Sequence, residues 1–539
     1  MRPALFAAAL GATTILGFAP FELFALPVFT LALLFRLWQR APSARAAAGL
    51  GFAWGLGFFL AGVSWVYVSL HDVGGMAAPL AIAATVLFCA YLALFPALAG
   101  YLSCRLRAGG GTASGRPASA EFWRNALALA GLWTLSEGLR GWAFTGFPWL
   151  AIGYSATPPN PLAGFAPVLG IHGMNFLVAL TAALFAYGTA SWARTTGVLV
   201  AVGLLAGVGQ LLRGMEWTQP VGAPFKVSLL HGDIPQSLKW VPENLPLSID
   251  TYTRLAQENP ARLTVLPETS IPLFFDDLPR EVLAALTQHG DALIGIAIRH
   301  RDGGYVNGAV AASLPPAEHS SPLGSAAGAA RGRYAPAFGG SPSAARDVIP
   351  RAVPSAPTLQ SYAKRHLVPF GEYVPPGFGW FFALVHIPMT DFSAGPPRQR
   401  PLEIAGQRVA PNICYEDLFG NEIIAALPEA TLLVNLSNTA WFGHSLAQPQ
   451  HLQISRMRAL ETGRMMLRAT NTGITAAIAP DGRVVGSLPP FTRGALVVEA
   501  QGFTGVTPYV RWGDALALLL AIGAISPALL QAYRRRKSR

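Results

Sequence analysis

Charge is what this sequence has least of. Asp, Glu, Lys and Arg make up only 12% of its 539 residues while 52% are hydrophobic, against roughly 25% charged in soluble domains. That balance excludes a disordered chain and an ordinary soluble enzyme of this length. Cysteine is scarce as well. Cys89, Cys104 and Cys414 are the only three, too few for a disulfide framework, so a small stapled fold is excluded. Lysine occurs only as Lys226, Lys239, Lys364 and Lys537. The histidines lack metal-ligand spacing, and no zinc-finger spacing, basic helix or aromatic-basic RNA motif is present. A nucleic-acid patch therefore does not explain the net charge of +11.

Long apolar runs are plentiful but unevenly placed, crowding into 1–214 and 513–533. A spanning helix takes about 20 mostly apolar residues for a core roughly 30 Å thick. The runs 4–19, 22–36, 48–70, 76–102, 122–138, 166–191, 196–213 and 513–533 predict a polytopic α-helical membrane bundle of about eight spans. The first run imitates a signal peptide. With Arg2 as its only positive charge and apolar sequence resuming at once, it reads as a retained helix. The Gly- and Ala-rich stretch 48–70 permits close helix packing.

Arginines sort the loops. Arg36, Arg40 and Arg45 follow the second run, Arg105, Arg107, Arg116 and Arg124 the fourth, Arg194 the sixth, and Arg534, Arg535, Arg536, Lys537 and Arg539 the last. The alternate loops are nearly empty: 71–75 has no Lys or Arg and 139–165 only Arg140. Positive charge marks the cytoplasmic side. Both termini then lie in the cytoplasm and 214–512 faces the opposite side, the periplasm in a bacterium with an inner membrane. Much of the excess charge is topological.

Residues 216–510 alternate strand-like runs (225–230, 263–266, 291–298, 305–312, 408–414, 431–436, 473–479 and 494–499) with helical patterns at 246–258, 278–289, 416–427 and 447–463. That pattern predicts one α/β or α+β sandwich. Residues 313–357, rich in Ala, Gly, Pro and Ser without periodicity, predict a disordered insertion. The expected organisation is a bundle of seven spans over 1–214, an outer domain over 215–511, and an eighth span with a basic tail over 512–539.

Candidate chemistry lies in the outer domain. Cys89 and Cys104 belong to the bundle and read as small apolar fillers. Cys414 ends the run VAPNIC before a helical pattern. Such a junction offers backbone N–H groups and a helix N-terminus that favour thiolate and hold an oxyanion. Glu268 follows a strand in VLPETSIP, and Lys364 stands in YAKRHLVPFGEYVP. In a chain that otherwise prefers arginine, a retained lysine points to a task guanidinium cannot perform. The i,i+3 spacing of Arg458, Glu461 and Arg464 predicts an ion-pair ladder, with Arg456 and Arg468 also read as structural.

In order, VLPETSIP, YAKRHLVPFGEY, NICYED and LVNLSNTAWFGHS resemble the signature of nitrilase-superfamily enzymes with a Glu–Lys–Cys triad. KxHLVPFGEYVP and SNxAWFG on a membrane bundle are similar to the bacterial apolipoprotein N-acyltransferase family, as are TGFPWLAIGYS, GDIPQSLKW and QHLQISRMRALETGRMMLRATNTGI. The resemblance implies an αββα sandwich. Glu268 would be general base, Lys364 the oxyanion partner, with the N–H of Tyr415, and Cys414 the nucleophile. Cys414 would take an acyl chain from a membrane phospholipid as a thioester and pass it to the N-terminal amine of a diacylglyceryl-apolipoprotein. Glu372 would orient Lys364, Tyr415 and Glu416 would support the nucleophile, and Ser437 and Asn438 would border the pocket. Trp240 is similar to a gate residue; Trp441, Phe442, Gly146, Phe147 and Trp149 are further gate or substrate positions. Thr439 departs from the family's usual Asp. No metal, cofactor or nucleic acid is called for, and the chain is expected to act as a monomer. The competing reading is a membrane-tethered amidase with the same triad and water as acceptor.

Overall fold

The computed structural model describes residues 2–107, 119–188, 192–300, 303–313, 358–375, 377, 379 and 391–537. Helices Arg2–Thr14, Ala25–Arg40, Ala44–Gly62, Ala78–Leu106, Ser119–Arg140, Ala166–Gly188, Trp192–Arg213 and Ala515–Lys537 occupy the positions of the apolar runs. Among the described residues, five helical segments are long and apolar enough to cross a membrane: Ala44–Gly62, Ala78–Leu106, Pro161–Gly188, Trp192–Arg213 and Ala515–Arg535. Arg2–Thr14 and Ala25–Arg40 are short, with 13 and 16 residues, and Ser119–Arg140 dilutes its apolar residues with Glu121, Arg124, Glu137 and Arg140.

The third run does not continue to residue 70 as one helix. It closes at Gly62, where Val63 leaves helical geometry with φ −127° and ψ 20°. A four-residue helix and a π-turn, Ser69–Val73, then carry the chain outward. There Ser69 Oγ donates to the Trp441 carbonyl at 2.8 Å. Close packing in the bundle is real at Gly57, where an added Cβ would lie 2.0 Å from the Ala8 carbonyl oxygen.

The outer domain is built on burial of period two. Strands β1 (Thr218–His231), β2 (Leu263–Val265), β3 (Asp291–Arg299), β4 (Tyr305–Ser313), β5 (Thr358–Ala363) and β12 (Gly494–Gly505) form one sheet in the order β12-β1-β2-β3-β4-β5. Strands β6 (Leu402–Ile404), β7 (Gln407–Ile413), β8 (Leu432–Ser437), β9 (Met466–Thr470), β10 (Thr475–Ile478) and β11 (Val484–Leu488) form the other, ordered β11-β10-β9-β8-β7-β6. Each sheet has a parallel centre, β1-β2-β3 and β7-β8-β9, with antiparallel flanks. Val227, Leu229, Val265, Val409, Leu432, Val434 and Leu467 meet between the sheets. The alternate residues face outward: Leu230 and Ile294 pack under helices Leu245–Glu258 and Arg280–Leu286, while Leu433 and Met466 pack with Ala459 of helix Ala447–Thr462. The layers are αββα.

Two expectations change in detail. Residues 416–427 are not one helix but short turns, Cys414–Leu418, Gly420–Ile423 and Ile424–Ala426. Gly420 sits where an added Cβ would meet Arg458 Nη1 at 2.2 Å and Tyr509 Oη at 2.4 Å, so the segment is bent around packed side chains. Ser313, taken as the start of the insertion, closes β4 and pairs with Thr358 of β5; the rest of 313–357 lies outside the described residues.

Helix Ala447–Thr462 joins the two parts. Thirteen of its 16 residues are buried, including Gln448, Gln450, His451, Gln453, Arg458 and Glu461. One face covers the second sheet. On the other, Ile454, Met457 and Leu460 enter the core of the bundle, Trp149 Nε1 donates to Gln450 Oε1 at 2.7 Å, and Glu461 Oε1 accepts from the Ile171 N–H at 2.7 Å.

Candidate active site

Parallel strands present their C-terminal ends as a ready edge for a site. Glu268 follows β2, Cys414 follows β7 and Asn438 follows β8, so both sheets deliver side chains to one place. Strand β5 ends directly at Lys364, whose backbone N–H donates to the Asn307 carbonyl at 2.8 Å.

Lys364 is 1% exposed. Its Nζ lies 3.3 Å from Glu268 Oε1 and 2.8 Å from Glu372 Oε2. Asn307 Nδ2 bridges the same two carboxylates, donating to each Oε1 at 2.7 Å. The second oxygen of Glu268 accepts from the Asn438 N–H at 2.7 Å, and that of Glu372 from the Val368 N–H at 2.9 Å. Burial pushes Glu268 up, but Lys364, Asn307 and the Asn438 N–H outweigh it and hold the carboxyl below its ordinary value. Burial opposes the charge on Lys364, yet Glu372, Glu268 and Cys414 raise it overall.

Cys414 is partly exposed and sits at φ +53°, a left-handed conformation strained for a residue with a Cβ. Its carbonyl accepts from Asn435 Nδ2 at 3.3 Å and lies 3.3 Å from His451 Nε2. Arg468 donates to His451 Nδ1 at 2.8 Å, which leaves the ring proton on Nε2, toward the Cys414 carbonyl and toward Asp417 Oδ1 at 2.9 Å. Desolvation pushes the thiol above its usual range, Glu268 adds to this, and Lys364 opposes it. Cys414 opens a five-residue 3-10 turn and not a long helix.

Glu416 fastens the Cys414 turn to the Lys364 loop. It accepts from the Ile413 N–H at 2.6 Å, the Arg365 N–H at 2.7 Å, the His366 N–H at 3.2 Å and the Tyr362 hydroxyl at 3.0 Å. Burial nevertheless pushes its carboxyl up to about 7. Tyr415 Oη donates to the Gly146 carbonyl at 2.8 Å, bringing the bundle's 139–165 loop against the residue after Cys414. Arg140, 2% exposed, shapes that loop by pairing with Glu137 at 2.6 Å and donating to the carbonyls of Phe147 and Trp149.

Ser437 is buried, with its hydroxyl on Asn435 Oδ1 at 2.6 Å, and Asn438 Nδ2 donates to Gln236 Oε1 at 2.8 Å. Trp149 is 1% exposed and faces Trp65 and Phe442, at ring distances of 5.0 and 5.8 Å. Phe442 also stacks edge-on against Trp65 at 4.6 Å, and Phe147 lies 6.5 Å from the Tyr415 ring. Trp240 is half-buried after the short helix Gln236–Lys239. Thr439 is fully buried, and its carbonyl accepts from Gln448 Nε2 at 3.1 Å. The arginine ladder holds only in its first rung: Arg458 pairs with Glu461 at 3.0 Å, whereas Arg464 turns to the carbonyls of Ala430 and Gly505. Arg456 pairs with Glu22 at 2.7 Å, and Arg468 with Asp417 at 3.3 Å. Among the described residues no group of His, Cys, Asp and Glu is arranged to hold a metal.

Sequence reasoning missed Asn307 and left Lys239 unassigned. Asn307 is the one side-chain amide in the buried strand run YVNGAVAA, a signal open to reading. A cavity of about 1020 Å³ lies between the two parts, walled by Trp142, Phe144 and Leu518 on the bundle side and by Arg365, His366 and Tyr373 on the other; Lys364, Glu268 and Cys414 are not among its lining residues.

A two-sheet sandwich whose strand ends gather a carboxylate, an ammonium and a thiol is a carbon-nitrogen hydrolase domain, and residues 352–509 match the carbon-nitrogen hydrolase family model. Residues 10–184 match the N-terminal domain of apolipoprotein N-acyltransferase. The chain is 47% identical over 533 residues to apolipoprotein N-acyltransferase of Nitrosomonas europaea, covering 96% of each. It is 45% identical to that of Chromobacterium violaceum, covering 99% of this chain and 94% of the relative. The chain belongs to the apolipoprotein N-acyltransferase family.

Proposed function

We propose that this protein N-acylates the N-terminal diacylglyceryl-cysteine of apolipoproteins, with a membrane phospholipid as acyl donor. Glu268 takes the Cys414 thiol proton as Sγ bonds to the ester carbonyl carbon, and Lys364 faces the oxyanion. Collapse breaks the ester C–O bond; the proton passes from Glu268 to the leaving alkoxide, a lysophospholipid departs, and Cys414 carries a thioester. The acceptor's amine then attacks the thioester carbonyl and the C–S bond breaks. Glu268 moves the amine proton to the sulfur, giving an amide and free enzyme. Glu372 orients Lys364, while Tyr415 and Glu416 hold the nucleophile turn.

The observation that carries this reading is the seat of Cys414. The Glu268–Lys364–Glu372 cluster acts on it electrostatically from one side, and a membrane-bundle loop grips its neighbour Tyr415. Acyl chains reacting there need not be extracted into water, where each exposed methylene costs about 0.8 kcal/mol. The arginine map supports a cytoplasmic (inner) membrane protein with both termini inside, a bundle over 1–214, a periplasmic domain over 215–511 and a last span over 512–539. We assign Trp240 as the gate and Trp441 with Phe442 as pocket wall, in a chain working as a monomer without cofactor.

Incubating the full-length protein with labelled phospholipid, followed by mass spectrometry of Cys414, tests this. An acyl thioester that disappears on adding a diacylglyceryl-peptide amine is expected. No label in wild type, with hydrolysis of simple amides, would establish the amidase reading, which the family does not favour.

A further inference from the structure

We propose that Lys239 is a positioning residue for Glu268, acting on the turn that carries it. The proposal rests on the reading of Glu268 as general base. Lys239 is 1% exposed. Its Nζ donates to the backbone carbonyl of Glu268 at 3.3 Å and to Thr269 Oγ1 at 2.8 Å. Thr269 stands at φ +42°, a conformation a β-branched residue adopts only where its surroundings enforce it. The lysine thus clamps the strained turn from behind while Lys364, Asn307 and the Asn438 N–H hold the carboxylate in front.

The same segment reaches the front as well. Gln236, three residues before Lys239, accepts from Asn438 Nδ2 at 2.8 Å, and the Asn438 N–H holds Glu268 Oε2. Burying an ammonium is costly, and a methionine would fill most of the same space without that cost. The charge returns it by lowering the energy of a carboxylate already flanked by Lys364 on one side and Glu372 on the other. The titratable groups acting on Glu268 are therefore Lys364, Lys239, Glu372 and Cys414. Burial holds Lys239 down to about 7, with Glu268 pulling it upward, so in the acid range where Glu268 titrates Lys239 carries its full charge.

The test uses the full-length protein in detergent, with two readouts in Lys239→Met, Thr269→Val, Thr269→Ser and Glu268→Gln: the rate of Cys414 thioester formation from a fluorescent phospholipid, and the pH profile of Cys414 alkylation by iodoacetamide. In Lys239→Met, thioester formation should slow about tenfold with KM within about twofold, and the acidic limb of both profiles should move up by about one pH unit. Thr269→Val should reproduce part of the loss and Thr269→Ser little, with the Lys239→Met/Thr269→Val pair no worse than Lys239→Met alone. An unmoved acidic limb in both Lys239→Met and Thr269→Val, with thioester forming normally, overturns the proposal. A limb that moves in alkylation while no thioester forms even in wild type would keep Lys239's role and sink the acyl-transfer reading. Alkylation insensitive to Glu268→Gln would overturn both.

Discussion

Gly146 allows the contact between the bundle and the nucleophile turn to be tested quantitatively. Its backbone lies at φ 87° and ψ 146°, a region costing a side-chain-bearing residue about 1–3 kcal/mol. An added Cβ would stand 2.0 Å from the Gly141 carbonyl oxygen. That neighbour is backbone and cannot swing aside, so overpacking adds about 1–3 kcal/mol. Gly146→Ala should therefore cost about 2–6 kcal/mol, released mainly by displacing the loop and with it the carbonyl that accepts from Tyr415. A displacement near 1 Å beside the nucleophile lowers rates by about a hundredfold. Tyr415→Phe removes only the hydrogen bond, worth about 1 kcal/mol, or about fivefold in rate. The assay is the rate of Cys414 thioester formation beside the thermal midpoint in the same detergent. Gly146→Ala should be worse than Tyr415→Phe in both. Wild-type behaviour of Gly146→Ala, or the reverse ranking, would refute the argument.

Three further outcomes are expected. Asn307→Leu removes the donor shared by Glu268 and Glu372, worth about 1.5–3 kcal/mol to each carboxylate, so the acidic limb of the rate profile should rise by about 1–2 pH units; a fixed limb in a folded variant contradicts this. Burial raises the Glu461 carboxyl to about 7 against a partial counterweight from Arg458. A raised carboxyl contributes stability below its unfolded value and loses it as pH climbs through the folded one, so the thermal midpoint of wild type relative to Glu461→Gln should fall between about pH 4.5 and 7. Trp149→Phe breaks the bond to Gln450 and should lower stability by about 1 kcal/mol, read as an earlier thermal transition, while Cys414 still acylates.

The residues proposed as a triad stood out in the sequence because two of them sit in runs whose neighbours also make buried bonds, Glu416 behind Cys414 and Glu372 after Lys364. The long strands were legible from alternation or continuous apolarity. Four others were not: β5, β6, β9 and β11. Strand β6 has three residues, β5 is a largely polar edge, and β9 carries Arg468, whose charge is cancelled only by Asp417 brought from elsewhere in the chain. Tertiary partners also decided Trp149. An aromatic in a loop near the membrane suggests a gate or a headgroup anchor, and its buried bond to Gln450, some 300 positions later, could not be read from the sequence. Lys239 differs again, since its meaning depends on the Glu268 carbonyl and no local pattern announces that contact.

The pairing of β1 with β12 has a consequence for biosynthesis. Thr218 partners Gly505 and His231 partners Gly494, so the first strand of the sandwich waits for the last. Among the described residues, seven of the long helices precede β1 and Ala515–Lys537 follows β12. Non-local closure of this kind must pay its loop entropy before any contact rewards it. The sheet bearing Glu268 keeps an open edge at β1 until nearly the whole chain is made, so its closure is one of the last events of synthesis. A nascent chain ending between residues 414 and 494 would carry Cys414 while β1 still lacked its β12 partner.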